Sequence, residues 1–523
     1  MPRQLLAALI LAVLAAADPL STQTSPPIEA ALHRPPPAAA RIGLEDALPA
    51  VSGFYTARGY QPAWTGPAGL NPSGESVMRA LARADEDGLN PEDYVPSALA
   101  RLAAQRTTES TANLEVLLSL VVVRFARDVG WGITVPSEVD RANSYEVRPF
   151  DAGAVLGDVA AAPDPGEALR QYAPPSFVYG LVKRALADLR SRRAQRGWTQ
   201  ATDGPTLRKG DRGPRVAELR AILMERGDLP QGPKDDAFDD TLIDGVKHFQ
   251  DRHGLDADGI YGRKMMAELS VPLSTRIEQV RLGLERLRWL PRTSTGRRIA
   301  VNIADFKAYV FDDDRVTFET RAVVGKLFHA TPMFAGRMTY IVVNPYWNVP
   351  PSIAVNEIKP HLIANPGYLD SQNMEMLAGG RVVNASAIDW TTTNINNYHI
   401  RQKPGGANAL GQIKFLFPNE HDVYLHDTPS KSLFARSYRA YSHGCVRVQN
   451  PMDFAGALLT TNPDVTEDKL KAMFGDSEKW VRLKKKIPVH LMYFTLRVDD
   501  DGTIRSYGDV YGHNKKLIQL LNA

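Results

Sequence analysis

The sequence predicts a multidomain α+β chain. A mainly helical N-terminal domain, a compact three-helix module and a mainly β C-terminal domain are expected, the last broken by a helical and loop insertion. Three observations predict this. Apolar residues recur at helical spacing from about residue 43 to about 290 of the 523 residues. From Arg298 the period changes to two. The length suits three or so domains.

In chain order, residues 1–17 read as a secretory signal. Arg3 supplies a positive start, Leu5 to Leu14 an apolar core, and Ala15-Ala16-Ala17 a small-residue cleavage site before Asp18. The apolar run is short for a membrane span, and no cysteine follows it, so it is not a lipoprotein signal. An uncleaved anchor is the alternative. Nothing else in the chain is long and apolar enough to span a bilayer, so no stable membrane span is expected after cleavage. Residues 18–42 are rich in Pro, Ala, Ser and Thr, with Pro26-Pro27 and Pro35-Pro36-Pro37. That composition buries little and reads as a flexible linker.

Residues 43–205 read as the helical domain. Leu114 to Asp128 is apolar enough for a buried helix, and Phe177 to Arg193 carries Val178, Val182, Ala185, Leu186 and Leu189 on one face. No metal-ligand spacing or carboxylate pair stands out there. Residues 206–271 form the module: helical spacing at 214–226 and 239–252, then Asp258-Gly259-Ile260-Tyr261-Gly262. Residues 272–297 carry a bracing helix, Arg276 to Leu290, stopped by Pro291. Residues 298–523 are the β domain. Ile299, Val301 and Ile303 alternate, as do Val316 and Phe318, and Tyr340 and Val342. A strand from Pro488 to Val498 completes the sheet, and Asp499-Asp500-Asp501-Gly502 reads as a hairpin turn. Residues 351–408 interrupt this pattern with helical sequence from Ile353 to Ala364 and loop sequence beyond.

The formal charge of +3 is close to neutral for this length and argues against nucleic acid as a partner. Chemistry concentrates between Tyr424 and Arg447, which holds Cys445, the sole cysteine. A thiol attacks as its thiolate and needs a base or a cation nearby. His426, His443 and Arg447 offer both. Gly444 permits a tight turn, and backbone amides of His443, Gly444 and Cys445 are candidates for an oxyanion hole. If Cys445-Val446-Arg447 is extended, Cys445 and Arg447 share a face; by the same reasoning Tyr424 shares one with His426. Trp347, just before the insertion, is a candidate cleft residue, with core packing as the alternative. A lone cysteine is otherwise a small buried hydrophobe.

His426, followed after a mid-teens gap by Ser442-His443-Gly444-Cys445-Val446-Arg447, resembles the L,D-transpeptidase (YkuD-like) catalytic motif. Tyr55, Arg58, Tyr60, Pro62 and Trp64, with Asp87-Gly88-Leu89-Asn90-Pro91, resemble the scaffold region of the large YcbB-like branch. The 206–271 module resembles a peptidoglycan-binding domain. The resemblance implies a mostly β catalytic core, Cys445 as nucleophile and His426 as general base, with Arg447, Tyr424, Ser442 and Trp347 as substrate contacts. It implies an insertion acting as a lid over the cleft, and no metal or organic cofactor. The implied enzyme is periplasmic and wall-associated. It joins peptidoglycan stem peptides in 3→3 cross-links through a cysteine thioester and releases terminal D-alanine. Its implied partners are stem peptides and glycan strands, with other cell-wall synthesis enzymes as further candidates. Three alternatives stay open: an L,D-carboxypeptidase, attachment of a protein to the wall by the same thioester, and a non-catalytic peptidoglycan-binding or assembly protein.

Overall fold

A computed structural model describes residues 26–522, other than 42, 44, 196, 234, 293, 294, 461 and 463. The expected signal at 1–17 and the start of the linker lie outside these residues. The chain divides into two compact units.

The first unit comprises residues up to 84, 90–126 and 150–170 and is helical. Its centre is the apolar face of helix Thr108–Trp131, where Val116, Leu117, Leu120 and Val121 are fully buried. Glu115 is buried with them. It stays there because Tyr55 Oη (2.6 Å), the Trp64 N–H (3.1 Å) and Thr65 Oγ1 (2.8 Å) all donate to it. A buried carboxylate without such donors is strongly destabilising. Part of the stretch expected as a flexible linker is instead helical, at Pro27–His33 and Ala38–Arg41. Pro27 occupies a first-turn position, where its missing N–H costs nothing. Ile28 and Ala31 are buried, and Tyr60 donates to Glu29 at 3.0 Å.

The second unit holds residues 85–89, 127–149 and 171–522. Its three-helix module uses Pro214–Arg226, Asp240–Arg252 and Arg263–Leu269 around Leu219, Leu223, Phe238, Val246, Phe249 and Leu269. Asp239 caps the second helix through the Leu242 amide, and Gly227 ends the first in the left-handed region. Gln250 explains the Asp-Gly-Ile loop: its amide donates to Asp258 Oδ1 (2.7 Å) and the Ile260 carbonyl (3.0 Å) and accepts from the Gly259 N–H (2.9 Å). Helix Leu273–Trp289 follows and packs against Phe177–Ala194.

The β domain is built on β1 (Arg297–Asn302), β2 (Lys307–Asp312), β3 (Arg315–Gly325) and β4 (Phe334–Val343). The insertion contributes β5 (Trp347–Asn348), β6 (Met374–Ala378), β7 (Arg381–Val383) and β8 (His399–Gln402). The chain returns through β9 (Ile413–Leu416), β10 (Leu425–His426), β11 (Ala440–Ser442) and β12 (Val446–Val448). It ends with β13 (Lys479–Met492) and a hairpin of β14 (Leu496–Val498) and β15 (Ile504–Ser506). The main sheet runs β11-β3-β12-β10-β9-β4-β13-β1-β2, and β2 pairs again with β3. The first half of β3 binds β2 and its second half binds β12, so the sheet closes into a barrel and hides its edges. Ile341, Phe415, Leu425, Val446 and Val489 fill the interior.

Two expectations need correction. The predicted strand Pro488–Val498 is broken: β13 stops at Met492. The Asn302 side chain takes both backbone groups of Phe494 (3.0 and 2.8 Å), standing in for a strand partner while the chain leaves the sheet. The 351–408 insertion is not only helix and loop. After helical residues Pro351–Ala364 it carries β6, β7 and β8, which with β5 just ahead of it form a four-stranded sheet, β5-β8-β6-β7, over a core of Leu362, Met376, Trp390, Ile395 and Ile400. These strands are only two to five residues long, too short to display a period.

Candidate active site

β10 and β12 lie side by side in parallel, Leu425 opposite Val446 and His426 opposite Arg447; the Val446 N–H donates to the Tyr424 carbonyl at 3.1 Å. Leu425, Val446 and Val448 point into the core. Strand alternation therefore projects Tyr424 and His426, and Cys445 and Arg447, from the other face as one patch. His426 stands diagonal to Cys445, and the Tyr424 and His426 rings meet edge to face at 5.6 Å.

His426 is buried. Its Nδ1–H donates to the Asp427 carbonyl at 2.5 Å, which leaves Nε2 unprotonated and available as a base. Burial first, and then the Arg447 charge, push its pKa down to about 3. The Asp427 carboxylate is engaged elsewhere: it accepts from the Gln412 N–H (3.0 Å) and pairs with Lys431 (2.5 Å). Cys445 is half-buried, and burial pushes its thiol above the ordinary value, opposed by the Tyr424 hydroxyl and the charges of Lys414 and Arg447. At neutral pH the resting pair is thus a neutral thiol and a neutral imidazole, not an ion pair.

The turn between β11 and β12 holds the motif. Gly444 has φ +116°, a conformation side-chain-bearing residues avoid. Ser442, expected to touch substrate, is buried and spent on the turn: its hydroxyl donates to the Cys445 carbonyl (2.5 Å) and accepts from the Gly444 N–H (3.2 Å). That contact also removes Gly444 from the expected oxyanion donors, because its N–H is occupied. The His443 and Cys445 amides meet no acceptor among the described residues. The His443 ring turns away toward the insertion: Glu357 Oε1 lies 2.7 Å and Lys326 Nζ 3.0 Å from its Nε2.

Sequence reasoning missed three residues that build this site. Lys414 lies opposite His426 across β9 and β10, with Nζ 3.9 Å from the Tyr424 ring centre. A lone lysine in Ile-Lys-Phe-Leu-Phe was its available signal. Thr331 donates to the Gly444 carbonyl (2.7 Å) and accepts from the Gly325 N–H (2.9 Å). Tyr511 donates to the Gly325 carbonyl (2.6 Å) and accepts from the Thr331 N–H (3.1 Å). Neither left a mark in the sequence, since both act through backbone groups more than a hundred residues away.

Arg447 and Trp347 line a 300 Å³ pocket, together with Glu357, His361 and Tyr368 of the insertion. Among the described residues Arg447 has no acidic partner, and its buried Nε meets no acceptor. Trp347 packs against the core of the insertion and lines this pocket, which contains neither His426 nor Cys445. A separate 870 Å³ cavity, between helix Phe177–Ala194 and strands β1 and β2, contains neither His426 nor Cys445.

Residues 296–466 match the L,D-transpeptidase catalytic domain. Residues 212–269 match the family described as "Putative peptidoglycan binding domain", and residues 49–186 the Scaffold domain. A Haemophilus influenzae protein described as "Putative L,D-transpeptidase" is 32% identical over 242 residues, 46% of this chain. The chain spans about half (49%) of that relative's length. Solved structures similar in part include the L,D-transpeptidase (residues 123–326) of Xylanimonas cellulosilytica, at 17% identity and TM-score 0.18, covering 55% of this chain and 98% of that one. The L,D-transpeptidase (Yku) of Stackebrandtia nassauensis shows 15% identity and TM-score 0.21, covering 56% and 97%. Residues 296–466 are thus similar to an L,D-transpeptidase catalytic domain, beside regions that match the peptidoglycan-binding and Scaffold families.

Proposed function

We propose that this protein is a cysteine-dependent L,D-transpeptidase that forms 3→3 cross-links between peptidoglycan stem peptides. The observation that carries this reading is the His426–Cys445 diagonal on adjacent parallel strands: a buried base held by the Asp427 carbonyl through Nδ1, set across from the chain's only thiol, with two turn amides that meet no acceptor among the described residues. Cys445 Sγ attacks the carbonyl of the third stem residue while His426 Nε2 takes its proton. The His443 and Cys445 amides hold the oxyanion, each worth roughly 3 kcal/mol in comparable sites. The tetrahedral intermediate collapses, His426 returns the proton to the departing D-alanine amine, and a thioester remains. The side-chain amine of a second stem attacks, loses its proton to His426, and Cys445 leaves as the thiol.

Arg447, unpaired in its pocket, suits a stem carboxylate. Lys414 and Tyr424 hold the thiolate once it forms, and Trp347 bounds the cleft. Glu357, His361 and Tyr368 of the insertion line the Arg447 pocket, and closure of the insertion over the cleft would exclude water and favour an amine acceptor over hydrolysis. The protein acts in the periplasm after export by residues 1–17, on wall stem peptides and glycan strands and alongside other cell-wall synthesis enzymes.

Product analysis tests the reading. Purified protein with disaccharide-tetrapeptide muropeptides should yield 3→3 dimers and free D-alanine, and Cys445→Ala should yield neither while remaining folded. Dimers from the alanine variant would remove the nucleophile assignment. Tripeptide without dimer would replace transfer by hydrolysis.

A further inference from the structure

A second cleft of 1220 Å³ lies between the three-helix module and the β domain. Its size exceeds the roughly 300–1,000 Å³ of small-molecule pockets, which points to a polymer. Seven carboxylate and seven Lys or Arg side chains line it. Three pairs form among them, Arg505 with Asp251, Lys307 with Glu319 and Lys264 with Asp256, while Arg497 and Arg505 are further neutralised by Asp499 outside the lining. Such a balanced lining selects neither a polyanion nor a polycation. It suits a neutral polymer dense in hydroxyl and amide groups.

The cleft is preformed, because its walls are tied together at the base. Arg252 donates to the Ile504 carbonyl (3.0 Å), Arg505 pairs with Asp251 (2.9 Å), and His253 Nδ1 meets Ser506 Oγ (2.5 Å). These join the module's second helix to the β14–β15 hairpin. The opposite side carries an exposed aromatic: Tyr438, 47% exposed. The rings of Phe306 and Tyr441 each meet it edge to face at 5.7 Å and fix its orientation. Arg439 holds the same loop through the carbonyls of Ala322, Arg436 and Phe306. Gln449, Asn450 and Lys264 present side-chain hydrogen-bonding groups around this platform. The loop from Ala435 to Tyr441 runs directly into β11 and the turn that bears Cys445.

We propose that this cleft binds a neutral oligosaccharide strand of N-acetylated amino sugars, with Tyr438 as the stacking platform for one sugar ring. Only the identity of the natural polymer rests on the reading above. A sugar presents an apolar face to a ring and a polar rim to amides, which is the pairing offered here. A strand held there would keep its peptides beside the loop that carries the nucleophile.

The test uses the full chain with Cys445→Ala, so binding is read without catalysis, and chitotetraose as the probe in calorimetric titration. Binding is expected, weakened about tenfold by Tyr438→Ala and restored by Tyr438→Phe, as loss and return of a ring contact require. Absence of chitotetraose binding, or equal binding by Tyr438→Ala, overturns the proposal. Separately, Tyr438→Ala in the otherwise unaltered protein should still convert muropeptide monomers. Loss of transfer in the unsubstituted protein with binding intact would fault the proposed activity and leave the cleft standing.

Discussion

Thr331→Val removes one oxygen that serves two buried backbone groups. Thr331 is 1% exposed; its Oγ1 donates to the Gly444 carbonyl at 2.7 Å and accepts from the Gly325 N–H at 2.9 Å. Valine keeps the shape and leaves both groups unpaired. Each unsatisfied buried group costs about 1–3 kcal/mol, so the local cost is about 2–6 kcal/mol. The turn relieves that cost by moving, and its motion carries the His443 and Cys445 amides off their target. Losing one aligned oxyanion donor lowers turnover by roughly 10²–10³; a partly displaced pair should lower it about 10-fold to 100-fold. The assay is transfer rate on muropeptides with hydrogen exchange at residues 442–446. Thr331→Val should lose both rate and protection, and Thr331→Ser, which keeps the hydroxyl, should recover most of each. Equal exchange and rates within threefold for Thr331→Val would refute the clamp. A serine variant as impaired as valine would assign the effect to the methyl group.

Three further outcomes follow from the electrostatics. The His426 pKa falls from 6.5 unfolded to about 3 folded, so below pH 6.5 the unfolded chain takes up a proton that the folded chain refuses. Stability should therefore fall as pH drops from 6.5 toward 3, and His426→Gln should flatten that fall in thermal unfolding; an unchanged slope contradicts the burial argument. The same shift removes any His426 acid limb near pH 6.5 from the rate profile of the free enzyme. Lys414→Met deletes a charge that lowers the Cys445 thiol, so the pH profile of iodoacetamide alkylation should move upward; no movement would exclude the lysine from the thiolate's surroundings. Glu357→Gln weakens a contact between half-exposed side chains worth under about 1 kcal/mol, so KM should rise less than fivefold with kcat kept, and a larger fall in kcat would give His443 a chemical role.

The legible parts of the sequence were those with local pattern. Helices at Thr108–Trp131 and Asp240–Arg252 follow from apolar spacing, and the shared face of Cys445 and Arg447 follows from two-residue alternation. What stayed hidden depends on long-range placement. Thr331 touches the motif, and Tyr511 reaches Thr331, only because β3 carries Gly325 beside β11. Ser442 reads as a substrate contact by type, and only the turn's geometry shows its hydroxyl consumed by Cys445 and Gly444. Desolvation was equally invisible: a histidine near a lone cysteine suggests an activated pair, whereas burial keeps both neutral. The insertion's sheet was missed because strands such as Arg381–Val383 are too short to show a period.

The most direct test of the central claim is intact-protein mass spectrometry during turnover of tetrapeptide muropeptides, comparing the unsubstituted protein with His426→Ala and Cys445→Ala. An acyl adduct mapped to Cys445, sharply slowed by His426→Ala and absent in Cys445→Ala, is the predicted result. Folded protein that turns over substrate with no adduct on Cys445, or one that forms equally fast without His426, would contradict the thioester mechanism.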